Sequence, residues 1–131
     1  MAMKTCIRLI LAAIVAGASA NGQEPPKIQP IPVEQAAAKI QAGAQVLDVR
    51  TKEEWDEGHL KDAKHVPLTM EGYADKAKAV LDSNRPVVVY CHSGNRSAAA
   101  VTRLRAGGFT AVFDMAGGIT DWKKEGKPVV K

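Results

Sequence analysis

The run Pro86-Val87-Val88-Val89-Tyr90, continued directly by Cys91-His92-Ser93-Gly94-Asn95-Arg96-Ser97, decides the fold. Its β-branched and aromatic side chains are apolar on both faces of the pleat. Such a strand must be covered on both sides, as a central strand of a parallel sheet is when helices pack above and below it. The polar residues after Tyr90 mark where the chain leaves the core. From Ser97 to Arg105 the apolar residues Ala98, Val101 and Leu104 recur at helical spacing, and Gly107-Gly108 ends the helix.

Outward from this centre, helical and strand patterns alternate. Pro32-Val33-Glu34 opens a helix with Pro near its first turn and Ala36, Ala37 and Ile40 on one face, closed by Gly43. Val46-Leu47-Asp48-Val49 is a short buried strand that delivers an acid and then Arg50 at its end. Thr51 with Glu54 three residues on forms a capping box for a helix ending at Gly58. A helix spans Glu71 to Leu81, and Asp82-Ser83-Asn84 turns the chain before Pro86. Beyond the central unit come a strand, Ala111-Val112-Phe113, and a helix, Ile119 to Glu125, introduced by Gly117-Gly118 and stopped by Gly126 and Pro128. The alternation predicts an α/β fold: one domain with a central, mainly parallel sheet and helices on both faces.

At 131 residues, with 46% hydrophobic and 24% charged, the chain suits one globular domain with a core that needs no staple. The first twenty residues stand apart. Lys4 and Arg8 precede a short apolar run from Leu9 to Gly17, and Ala18-Ser19-Ala20 follows, which reads as a secretory signal peptide cleaved after Ala20. The run is far shorter than the roughly twenty residues of a membrane-spanning helix. Asn21 after the cleavage point argues against a lipid anchor. The expected organisation is a signal peptide over 1–20, a Pro-rich extended leader over 21–30 and the domain over 31–131, exported to the periplasm or secreted, with no membrane attachment after cleavage. Losing Lys4 and Arg8 takes the formal net charge from +4 to +2, and the remaining charges are interspersed, so nucleic acid is not an expected partner.

Cys6 leaves with the signal peptide, and Cys91 is then the sole cysteine, without CxxC or zinc-ligand spacing. No metal site is expected. Cys91 sits at the carboxyl end of the central strand, where open α/β sheets bind ligands. A loop wound at the N-terminus of the following helix turns N–H groups inward and favours an anion at its centre. That field, together with the Arg96 guanidinium, is expected to lower the thiol pKa and activate Cys91 as a nucleophile. Gly94 permits the curvature.

The motifs now resemble a known family. Leu47-Asp48-Val49-Arg50 with Glu53-Glu54-Trp55, Gly58-His59-Leu60 and Val66-Pro67-Leu68 resembles the first signature of the rhodanese domain. Val89-Tyr90-Cys91 with Ser93-Gly94-Asn95-Arg96-Ser97 is similar to its active-site loop, and Gly117-Gly118-Ile119 with Trp122 to its C-terminal signature. The likeness runs from Ile31 to Val130 and points to the single-domain exported bacterial type. It implies a thiosulfate sulfurtransferase that carries sulfur as a persulfide on Cys91 and needs no cofactor. His92, Ser93, Gly94, Asn95, Arg96 and Ser97 would bind the donor anion, and Asp48 and Arg50 would support the site. Arg50 is expected to pair with Glu54 or Glu57. The implied partners are thiosulfate or a similar anionic donor and a thiol or cyanide acceptor, a protein thiol included.

Two rivals remain at this level. Cysteine-dependent phosphatases and arsenate reductases also set a thiolate and an arginine in an anion loop, but with five intervening residues where His92, Ser93, Gly94 and Asn95 here make four. A phosphatase also needs a general acid, and no Asp is clearly placed for that role. The other rival is a non-catalytic sulfur-carrier or binding module of the same fold, against which the presence of Cys91 counts.

Overall fold

A computed structural model describes residues 29–69 and 71–131; the signal peptide and nearly all of the leader expected from the sequence lie outside the described residues. The elements are α1 (Val33–Gln41), β1 (Gln45–Asp48), α2 (Lys52–Glu57), β2 (Lys64–His65), α3 (Tyr73–Lys78), β3 (Val87–Tyr90), α4 (Asn95–Ala106), β4 (Val112–Asp114) and α5 (Gly118–Lys124). The four strands form one sheet in the order β2-β1-β3-β4, and every pairing is parallel. The chain runs from β1 outward to β2 and then crosses back to β3, so the strand order reverses between β1 and β3. At such a switch point the loops leaving two neighbouring strands diverge and open a crevice.

All four residues of β3 are buried, as its two-sided apolar pattern demands. Alternation along the strand sends Val87, Val89 and Cys91 to one face, where Tyr73 and Ala77 of α3 and Ala100, Val101 and Leu104 of α4 cover them. Val88 and Tyr90 point to the other face, against Val33 and Ala36 of α1 and Ile119 and Trp122 of α5. The helices on both faces are therefore the two halves of the core.

Several element boundaries differ from the sequence reading, and three of the differences have a clear local reason. Backbone pairing to β1 makes β2 a strand although its two residues carry no side-chain pattern. The helix expected over Glu71 to Leu81 is shorter, because Gly72 has left-handed backbone at its start and the chain turns after Lys78 to bury Leu81. β4 is displaced by one residue, its register with β3 pairing Val89 with Asp114. A buried acid thereby joins the strand.

Candidate active site

The loop after β3 closes around the Cys91 sulfur. Gly94 has φ +108°, a left-handed conformation that other residues rarely adopt, and this turns the chain so sharply that α4 begins at Asn95, two residues earlier than the side-chain pattern indicates. The Gly94 N–H donates to Cys91 Sγ at 3.0 Å, and Ser97 Oγ lies 3.5 Å from the same sulfur. Burial pushes the thiol pKa up, but the Ser97 hydroxyl and the N–H groups of Ser97, Gly94 and Ser93 outweigh it and leave the thiol below its ordinary value. Backbone and serine dipoles build this cradle; Arg96, expected to lower the thiol with them, is not among the groups that do so.

Gly117-Gly118 explains why the loop's N–H groups can face inward. The Ile119 N–H donates to the Cys91 carbonyl at 2.9 Å, while the N–H and hydroxyl of Thr120 donate to the His92 carbonyl at 3.1 and 2.9 Å. The start of α5 thus takes up the carbonyls and orients the peptide planes. A Cβ at Gly118 would collide with the carbonyl oxygens of Cys91 and His92, so only glycine allows this approach.

The remaining candidate residues separate by position. His92, Ser93 and Asn95 are exposed on the rim, Arg96 is partly buried, and Ser97 is fully buried beneath the sulfur. Arg96 turns away from the ring: its Nη1 and Nη2 donate to the two Glu54 carboxylate oxygens at 2.7 and 2.8 Å. The same carboxylate accepts from Thr51 in the capping box. The Arg96 contact above all, opposed by burial and assisted by Thr51, holds Glu54 down to about 2.

Arg50 pairs with neither Glu54 nor Glu57, contrary to expectation. Its Nε and Nη2 grip the Asp48 carboxylate at 2.7 to 3.1 Å, and Nη2 also donates to the Gly58 carbonyl at 2.7 Å. The physical reason is proximity: residues two apart on an extended segment share a face, and Glu54 is already taken by Arg96. Tyr90 completes the cluster, its hydroxyl donating to Asp48 Oδ2 at 2.6 Å and accepting from the Leu60 N–H at 3.1 Å. Asp48, Arg50 and Tyr90 are all buried on the α1/α5 face, opposite the face to which Cys91 points.

Two open clefts flank the Glu54–Arg96 pair. One, of about 490 Å³, is lined by Glu57, His92, Thr120 and Lys123 among others. The other, of about 450 Å³, is mostly apolar and includes Pro67, Leu68 and Arg96. The tryptophans of the two outer signatures serve structure: Trp55 stacks on His59 at 3.5 Å and on His65 at 4.8 Å, while Trp122 donates to the Pro128 carbonyl at 2.9 Å.

The sequence reading did not single out Asp114. The signal was available, because Val112-Phe113-Asp114 repeats the pattern of Val46-Leu47-Asp48, an apolar strand ending in an acid. Asp114 is 1% exposed, and its Oδ1 is the only buried side-chain oxygen or nitrogen without a hydrogen-bond partner among the described residues.

A parallel α/β domain with a cysteine in an N–H-lined loop at its switch point matches a known class. The family model for the rhodanese-like domain matches residues 32–125, and the chain belongs to that family. Among curated relatives, thiosulfate sulfurtransferase 16, chloroplastic, of Arabidopsis thaliana is 36% identical over 66% of this chain and 80% of its own length. The thiosulfate sulfurtransferase GlpE of Pseudomonas savastanoi pv. phaseolicola is 39% identical over 71% of this chain and 85% of its own. Among solved structures, a rhodanese-related protein from Thermoplasma volcanium superimposes with a TM-score of 0.67 at 33% identity, covering 78% of this chain and 97% of its own.

Proposed function

We propose that this protein is a sulfurtransferase that moves sulfane sulfur from thiosulfate, or a similar anionic donor, to a thiol or cyanide acceptor through a persulfide on Cys91. The observation that carries this reading is the Cys91 sulfur itself, at hydrogen-bond distance from the Gly94 N–H and Ser97 Oγ, with its thiol pKa lowered. The Cys91 thiolate attacks the outer sulfur of thiosulfate. A new S–S bond forms as the donor's S–S bond breaks, and sulfite leaves with the electron pair. The acceptor nucleophile then attacks the outer persulfide sulfur, and Cys91 leaves as thiolate. Loop N–H groups stabilise the negative charge on sulfur at both stages. The exposed rim residues His92, Ser93 and Asn95 meet the donor's sulfonate, whereas Arg96, tied to Glu54, braces the loop. Asp48 and Arg50 support the site from the opposite sheet face.

A phosphatase reading gains nothing from this geometry, since the two buried acids, Asp48 and Asp114, are sequestered from any leaving group. The test is an intact-mass measurement after incubation with thiosulfate. The expected result is a gain of one sulfur atom, lost on adding cyanide, with neither adduct nor turnover in Cys91→Ser. Sulfur transfer retained by that variant would overturn the assignment. The proposal includes export with cleavage after Ala20, which predicts mature protein beginning at Asn21 in the extracytoplasmic fraction; protein retaining Met1 in that fraction would contradict it.

A further inference from the structure

The cleft of about 490 Å³ beside the active-site loop lies between the end of α2 and α5, with His92, the residue after Cys91, in its lining. Its charged residues fall into two sets. Arg50 is spent on Asp48 and the Gly58 carbonyl, and Glu54 is held by Arg96, so these leave no free charge. Glu57 on the α2 wall and Lys123 and Lys124 on the α5 wall are exposed, and none of the three joins an ion pair among the described residues. One cleft thus has an anionic wall and a cationic wall that do not close on each other.

The way the loop is held fixes these charges in place. Ile119 and Thr120 donate to the carbonyls of Cys91 and His92, which pins the first turn of α5 against the loop. Lys123 and Lys124 follow one turn later, and helical side chains lean toward the N-terminus of their helix, here toward the loop. The opposite wall is tied to the same helix by the C-terminal segment. His59, just past α2, exchanges two backbone hydrogen bonds of 2.8 Å with Val130, and Trp122 of α5 donates to the Pro128 carbonyl at 2.9 Å.

We propose that this cleft binds the sulfur acceptor, and that the acceptor is a small zwitterionic thiol, its carboxylate at Lys123 and Lys124 and its ammonium at Glu57. The inference rests on the sulfurtransferase reading above and names the acceptor class. An anion as small as thiosulfate is served by the loop and its rim. Two walls of opposite sign beyond the rim match a molecule that carries both charges beside its thiol. The bound thiol gives its proton to solvent and attacks the outer sulfur of the Cys91 persulfide. A new S–S bond forms as the Cys91 S–S bond breaks, and Cys91 leaves with the electron pair as thiolate.

The test separates the two half-reactions. Loading by thiosulfate is followed by intact mass. The persulfide form is then freed of donor and mixed with L-cysteine, 3-mercaptopropionate, cysteamine or 2-mercaptoethanol, which carry both charges, the carboxylate alone, the ammonium alone and neither. Comparing variant with parent on the same thiol cancels differences in intrinsic thiol reactivity. Lys123→Ala/Lys124→Ala should slow transfer to cysteine and 3-mercaptopropionate about tenfold, and should slow cysteamine, 2-mercaptoethanol and thiosulfate loading by no more than about twofold. Glu57→Gln should slow cysteine and cysteamine about threefold and spare the other two. Equal slowing of all four thiols, loading slowed as much as transfer, or unchanged transfer to cysteine in either variant would each overturn the proposal. A parent that gains no sulfur from thiosulfate would overturn the sulfurtransferase reading itself, and the acceptor site with it.

Discussion

At the scale of single residues, the buried Asp48–Arg50–Tyr90 cluster carries the clearest energetic consequence. Arg50→Ala would leave the Asp48 carboxylate, 0% exposed, with the Tyr90 hydroxyl and the Arg50 backbone N–H but no cation. Breaking a buried pair in this way costs about 3 kcal/mol. The expected outcome is a melting temperature lower by about 10 °C. Thiosulfate kcat/KM, corrected for folded fraction, should change little, because the Arg50 guanidinium, although Arg50 lines both clefts, is spent on Asp48 and the Gly58 carbonyl. Thermal melts beside steady-state kinetics check both points, and a parent-like melt with lost donor turnover would make Arg50 a site residue. Asp48→Asn/Arg50→Met should melt higher than Arg50→Ala alone, since it buries no unpaired charge. Side-chain types at the strand ends were readable from the chain. Which acid Arg50 would choose was not, because the choice depends on Glu54 being claimed by a residue forty-two positions away.

At the scale of elements, α2 is instructive because it buries none of its residues. Six residues form too short a helix to persist on propensity alone. What holds α2 is its ends and its outward contacts: the Thr51/Glu54 capping box, the Glu54–Arg96 pair to α4, and Trp55 stacked on His59 and His65. Thr51→Ala is therefore expected to cost about 1 kcal/mol. In native-state hydrogen exchange it should speed the amides of Lys52–Glu57 while leaving those of Val87–Tyr90 unchanged. Uniform acceleration across both elements would show that α2 opens only with the whole domain. The capping box was legible because it is a contact between residues three apart. β2 was not legible, since its existence depends on the neighbouring edge of β1 and on nothing in Lys64-His65 themselves.

Taken as a whole, the molecule has an acid response whose sign follows from Glu54. Its carboxyl is held at about 2, below the roughly 4.3 of an unstructured glutamate, so the unfolded state binds its proton first as pH falls. The stabilisation is fully present above the unfolded value and is lost as pH drops through about 2. Solvent screening keeps the effect modest, because Glu54 and Arg96 are both partly exposed. Melting curves of the parent and Glu54→Gln between pH 2 and 6 should differ most above pH 5 and converge at the acid end. A constant gap would assign the loss to packing alone.

The sequence by itself determined the α/β class, the covered central strand and the loop that presents Cys91, because hydrophobic period, glycine positions and caps are local properties that a few neighbouring residues settle. The tertiary structure decided the order β2-β1-β3-β4, the partner of the buried Asp48–Arg50 pair, the reach of Gly118 onto the Cys91 carbonyl and the burial of Asp114 at the end of β4. These depend on which distant segments the packed sheet brings together. A buried charge is satisfied by whatever group lies within a few ångströms, and that distance exists only once the strands are in register.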